Sequence, residues 1–160
     1  MREECQKWLD NSTTEIGGMN QNGDSIIVEI DETKYFHRKY HRGQWREGHW
    51  VFGGIEREGR KCFLVVVPDR TAATLQQCIQ ENILPGTHII SDGWAAYANI
   101  RNIQSGIYDH SVVVREHNFV DPADPEVHTQ NIENMWMRAK RKREAIRHYP
   151  SLISIILKRI

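Results

Sequence analysis

Ser25-Ile26-Ile27-Val28-Glu29-Ile30-Asp31 is the stretch that decides the fold. It is dense in β-branched residues, and it reads as the start of a buried strand that delivers a carboxylate towards one end of a sheet. The strand is expected over Ile26 to Phe36. Two more apolar runs, Gly48 to Glu56 and Lys61 to Val67, follow as strands and predict an antiparallel meander. Next comes Thr71 to Leu84, which puts Leu75, Cys78 and Ile79 on one helical face between Pro68-Asp69 and Pro85-Gly86. That spacing predicts a crossover helix. Thr87 to Ser91 reads as a fourth strand that runs into Asp92, Trp94 to Ile100 as a helical turn or two, and Ser111 to Arg115 as a fifth strand. Thr129 is a good N-cap for a long final helix reaching about Arg147, in which Ile132, Met135, Trp136, Ala139 and Ile146 share one stripe and Glu133 and Lys140 lie on its edge. The order is βββαβαβα, an α/β fold with a mixed sheet: meander first, then βαβ units and a long C-terminal helix.

Outside this frame, Glu3 to Leu9 reads as a short helix and Asn11 to Gly23 as a linker, so residues 1–23 precede a domain spanning 24–150. The apolar Leu152 to Leu157 lies in a last segment, 151–160, that looks like an element cut short. At 160 residues and 39% hydrophobic, the chain can build one good core and not two. Cys5, Cys62 and Cys78 are odd in number and widely spaced, which fits neither a disulfide framework nor a zinc site. No signal-peptide or membrane-spanning window stands out, and an intracellular, non-secreted protein with no membrane partner is expected.

Three acids carry the chemical signal. Asp31 and Asp92 end two apolar runs, and Glu133 lies in a helical stretch with Lys140 two turns further on. Hard oxygen ligands in this layout suit Mg²⁺ or Mn²⁺, and a pair of such ions can clamp the attacking and leaving oxygens of a phosphodiester. Each acid has an ordinary alternative: Asp92-Gly93 is a common turn, and Glu133 can simply stabilise a helix N-terminus. The formal net charge is +0, so any nucleic-acid surface must be local. Two stretches supply it. His37 to Arg46 interleaves Arg38, Lys39, Arg42 and Arg46 with Tyr40 and Trp45, while 138–147 holds Arg138, Lys140, Arg141, Lys142, Arg143 and Arg147 against one acid, Glu144. Solvated surfaces, or a nuclear-import patch in the second case, are the plainer readings. The scattered histidines lack the paired spacing of a zinc site. Trp45, Trp50, Trp94 and Trp136 read as core or loop anchors.

Four ordered blocks then resemble one family. They are Val28-Glu29-Ile30-Asp31-Glu32, Trp50-Val51-Phe52-Gly53-Gly54-Ile55-Glu56-Arg57, Ile89-Ile90-Ser91-Asp92-Gly93-Trp94 with Tyr97, and His128-Thr129-Gln130-Asn131-Ile132-Glu133-Asn134-Met135-Trp136 with Lys140. Together they are similar to the catalytic domain of ISXO-type insertion-sequence transposases and the Merlin elements. The resemblance implies a ribonuclease-H-like fold and a DDE site that cuts transposon ends and joins them to target DNA. It further implies two Mg²⁺ or Mn²⁺ ions on Asp31, Asp92 and Glu133, Lys140 as the following base, a homodimer or larger synaptic assembly, and residence in the nucleus. Gln130 stands where the family usually shows Asn, with Asn131 next, and some members use Asn as third catalytic residue. Gln130 and Asn131 therefore stay open beside Glu133. So do two other functions, a transposase-derived DNA-binding protein without activity and another ribonuclease-H-like nuclease.

Overall fold

A computed structural model describes residues 15–35, 48–113 and 127–141. Its elements are β1 (Ile16–Gly17), β2 (Ile27–Tyr35), β3 (His49–Glu56), β4 (Cys62–Val67), α1 (Ala72–Asn82), β5 (Ile83–Leu84), β6 (His88–Asp92), β7 (Asp109–Val113) and α2 (Gln130–Arg141), with 3₁₀ segments at Ala95–Tyr97 and Ile100–Ser105. The main sheet has the order β4-β3-β2-β6-β7. β2, β3 and β4 form the expected antiparallel meander, and β6 and β7 add in parallel to β2. A mixed sheet needs a crossover between its parallel members, and α1 supplies it. Thr71 caps α1, its hydroxyl accepting from the Thr74 N–H.

Strand alternation sorts the core into two layers. Val28 and Ile30 of β2 pack with Phe52, Phe63, Leu75, Cys78 and Ile79 on the α1 side. On the other side, Val51, Ile55 and Leu64 meet Ile132, Met135, Trp136 and Ala139 of α2. Three of the four α2 residues are large apolar side chains, each contributing about 1.5–3 kcal/mol on full burial. Packing therefore holds this helix more than propensity does. The expected stripe on α2 is present as far as Ala139, and Ile146 lies outside the described residues.

Several expectations shift. Ile16 is fully buried, and Ile16–Gly17 pairs in parallel with Ile83–Leu84, so ordered structure begins inside the stretch read as linker. The same pairing ends α1 at Asn82 and turns its expected last residues into a strand, because Ile83 gains a sheet partner that a helix could not offer. The turn after Asp92 becomes two 3₁₀ segments instead of one short helix. β7 begins at Asp109, two residues before its expected start, fixed by the pairing His88↔Asp109. The basic hairpin with Arg38, Lys39, Arg42, Trp45 and Arg46, the N-terminal helix, Lys142, Arg143 and the C-terminal segment lie outside the described residues.

Candidate active site

Glu29 and Ile90 are register partners on the parallel strands β2 and β6, and Asp31 and Asp92 each stand two residues beyond them. Asp31 is the middle residue of β2, just past the last β2–β6 pair, and Asp92 is the last residue of β6; by strand alternation Asp31 shares the face of Glu29 and Asp92 that of Ile90. Asp31 confirms its direction by accepting a hydrogen bond at 3.1 Å from Trp136 Nε1 on that helix. Asp92 Oδ1 accepts the backbone N–H of Trp94 at 3.0 Å, a tight turn that holds its carboxylate at the strand end.

Gly53 makes the Asp31 contact achievable. It pairs with Asp31 on the neighbouring strand, and a Cβ there would sit 2.5 Å from Leu64 Cδ2 and 3.0 Å from Trp136 Cη2. The bare backbone leaves room for the indole to lie across β3 and reach β2. Gly54 serves the opposite face, where a Cβ would meet the Phe63 ring at 2.5 Å. Two adjacent glycines therefore admit one aromatic on each side of the sheet.

The start of α2 is fixed by a buried carboxylate. Glu29, fully buried, accepts the N–H groups of Asn131 at 2.8 Å and Ile132 at 3.0 Å, and the Asn131 side-chain amide at 2.7 Å. Arg57 donates to Glu29 Oε1 from Nε at 3.2 Å and from Nη2 at 3.1 Å, and it also reaches the His128 carbonyl. Two orphan amides of the helix and the positive end of its dipole are satisfied from another strand. Sequence reasoning gives Glu29 no role of its own. Its signal was a charged residue in the middle of an apolar run, which buried strands hold only when it is paired.

The helix orientation follows. At about 100° per residue, Asn131, Asn134 and Arg138 fall on one edge of α2 and Glu133 and Lys140 on the other. The first edge faces a cleft of about 50 Å³ lined with Ile55 and Cys62 of β3 and β4. Glu133 and Lys140 lie on the edge next to Trp136, the residue that reaches Asp31 of β2. Asn131 is committed elsewhere, its carboxamide held between Glu29 and Arg60. Gln130 is exposed, Arg138 and Lys140 are exposed on α2, and Arg141 is its last residue. Among the described residues no three His, Cys, Asp or Glu side chains gather closely enough to hold a metal ion, so the expected three-acid cage is not assembled there. Asp31 and Asp92 fit a divalent cation in donor type and register, with Glu133 close in sequence to the fixed start of the helix.

On the α1 face of the same sheet end, Glu32 accepts a hydrogen bond from the Tyr97 hydroxyl and pairs with Arg70 at 3.4 Å. Burial raises the Tyr97 phenol far above its ordinary range, and the charge and hydrogen bond of Glu32 and the charges of Asp31 and Asp92 add to this. The phenol is a fixed neutral donor. Among the described residues no helix is long and apolar enough to cross a membrane.

Residues 23–151 match the family model described as "ISXO2-like transposase domain". No curated protein matches the chain significantly. Among solved structures, the catalytic core domain of BIV integrase is 14% identical, with a TM-score of 0.55 over 82% of this chain and 77% of that one. The HTLV-2 integrase catalytic core domain in complex with magnesium, in a trimeric form, is 15% identical with a TM-score of 0.52, covering 84% and 80%. A chain of the simian T-cell lymphotropic virus intasome in complex with PP2A regulatory subunit B56 gamma matches at 15% identity and TM-score 0.57 over 90% of this chain and 51% of that one. Identities this low speak for the fold alone, and that fold is ribonuclease-H-like.

Proposed function

Because the chain belongs to the ISXO2-like transposase domain family, we propose that it is the catalytic part of a DNA transposase, cleaving transposon ends and joining them to target DNA. The observation that carries this reading is the parallel pairing of β2 and β6, the strands that bear Asp31 and Asp92, with α2, which bears Glu133 and Lys140, bonded to Asp31 through Trp136. Asp31, Asp92 and Glu133 would hold Mg²⁺ or Mn²⁺. Two such ions supply neutralisation of the charge that develops at the phosphate and activation of the attacking oxygen.

The chain's own residues have separable tasks. Trp136 fixes the rotation of the Asp31 carboxylate and covers it from above. Glu29 and Arg57 pin the first turn of α2, so that Glu133 has a defined height over the sheet. Asn131 is spent on that anchoring, which supports Glu133 over Asn131 as the third acid. Arg138, Lys140 and Arg141, with the bases that follow them in sequence and the cations within 37–46, would neutralise DNA phosphates. In this reading hydrolysis at an end liberates a 3′-hydroxyl, which then attacks a target phosphodiester in line. Pairing two ends calls for a homodimer or larger assembly.

The test is nicking and joining of end-containing DNA with Mg²⁺ or Mn²⁺. Asp31→Asn and Asp92→Asn should each reduce both products by roughly a thousandfold, a loss of about 4 kcal/mol in barrier lowering. Unchanged rates in both variants would refute the assignment. Nicking without joining would point to another ribonuclease-H-like nuclease. A second reading, a DNA-binding descendant without activity, draws on the absence of a closed three-acid group among the described residues. It requires DNA affinity that survives both substitutions and no cleavage by the wild type. Nuclear residence belongs to the same proposal, and imaging a tagged chain with 138–147 neutralised tests it.

A further inference from the structure

Trp94 follows Asp92 by two residues, donates its backbone N–H to that carboxylate, and is 40% exposed. Its indole is unlike that of Trp136, which is buried and spends its N–H on Asp31. One face of Trp94 is covered by the Arg70 guanidinium, 4.4 Å from the ring centroid. The same guanidinium lies 4.3 Å from the Trp50 ring centroid, and Lys34 Nζ lies 5.6 Å from that ring. Glu32 holds Arg70 from below. The arrangement is a cluster of Trp50, Arg70 and Trp94, anchored by Glu32 next to Asp31 on β2 and tied by a turn to Asp92.

Such a cluster costs conformational entropy to order, and here that cost is met before any ligand arrives. Arg70 is held by two rings and a carboxylate, so its rotamer is set. The indole N–H of Trp94 has no hydrogen-bond partner among the described residues, and the ring is one of the few large apolar side chains left open. Fold stability alone would favour covering it. A partly open ring backed by a fixed cation suits a nucleobase, and the exposed Lys34, at the neighbouring Trp50 ring, adds positive charge to the same region.

Resting on the transposase reading above, we propose that Trp94 is a stacking platform for an unpaired base next to the reacting phosphate, its ring held in place by Arg70. A paired base hides its face inside the duplex, so the site discriminates frayed or single-stranded nucleotides from intact duplex. Base readout is not required, because every base offers a π-face.

The experiment compares affinity of the full chain for a blunt DNA duplex and for the same duplex with a short single-stranded tail carrying 2-aminopurine, in Ca²⁺ to suppress cleavage. Wild type should bind the tailed probe about tenfold more tightly and quench the 2-aminopurine, as stacking on one aromatic implies. Trp94→Ala should remove the preference and the quench while leaving the blunt duplex within twofold; Trp94→Phe should keep most of both. A tail preference that survives Trp94→Ala, or wild type that binds both probes equally, overturns the proposal and leaves the transposase reading standing. Failure of wild type to bind either DNA removes the underlying reading instead. If Trp94→Ala alters self-association while the tail preference persists, the ring serves a protein contact and the proposal falls.

Discussion

Glu29 on β2 accepts the backbone N–H of Asn131 on α2 at 2.8 Å, across 102 positions of sequence, from a site with no solvent exposure. One carboxylate thereby sets where the helix starts and which way it faces. Everything the helix carries, Glu133 included, inherits that placement.

Removing this carboxylate should be costly. Glu29→Ala would leave Arg57, whose side chain is 13% exposed, without its buried counter-ion, and would strip the acceptors from two helix amides. Breaking a buried pair in this way costs about 3–5 kcal/mol. Urea denaturation should show a loss of that order, with Glu29→Gln losing less because one acceptor oxygen remains. A loss below about 1 kcal/mol for Glu29→Ala would show that α2 is held by its apolar stripe alone.

Gly53 should tolerate no side chain. Gly53→Ala forces the Leu64 side chain to move and presses the Trp136 ring, which a Cβ would meet at 3.0 Å, and overpacking of this kind costs about 1–3 kcal/mol. Since Trp136 is the pressed ring, its fluorescence should shift as it loses its contact with Asp31. Gly53→Ala with unaltered stability and spectrum would contradict the close approach.

Trp136→Phe separates orientation from packing. The ring remains, the donor to Asp31 is lost, and stability should fall by only about 1 kcal/mol. Metal-dependent cleavage should fall further, about 10- to 100-fold, as is usual when a group that orients a metal ligand is removed. The decisive measurement is the metal titration, where a raised half-saturating Mg²⁺ concentration is expected. Equal losses in stability and in cleavage would mean the indole is only filler.

His110 should make stability fall on acidification. Its imidazole accepts no charge easily: burial first, then Arg101 and His88, push its pKa down to about 4, and its Nε2 lies 2.8 Å from Ser91 Oγ. The unfolded ring titrates near 6.5, so between about pH 6.5 and 4 the unfolded state binds the proton first. The native advantage is complete above about 6.5 and is lost as pH drops towards 4, up to about 2–3 kcal/mol. Denaturation of His110→Gln against wild type at both ends of this window should show a smaller acid loss in the variant, and an identical loss would remove His110 as the cause.

The meander, the crossover helix and the apolar stripe of α2 were legible because alternation and helical periodicity act within a dozen residues. Strand ends and turn chemistry likewise exposed Asp31 and Asp92 as candidates. The β1 and β5 pair was not legible, since two residues such as Ile16-Gly17 form a strand only when a distant partner accepts their hydrogen bonds. The same holds for Glu29, which looks like a misplaced charge until Arg57 and the start of α2 arrive around it. Trp50 and Trp94 looked alike as anchors, and only the tertiary arrangement put Arg70 against both and left one ring open.

By itself, then, the order of residues determined the types of element, the face each strand buries and the acids that could do chemistry, because these depend on short-range geometry and hydrophobic periodicity. Tertiary structure alone decided which strands become neighbours and where on them α2 starts. Both depend on strand register and on a buried carboxylate meeting a helix terminus 102 residues away, a long-range match that no local pattern encodes.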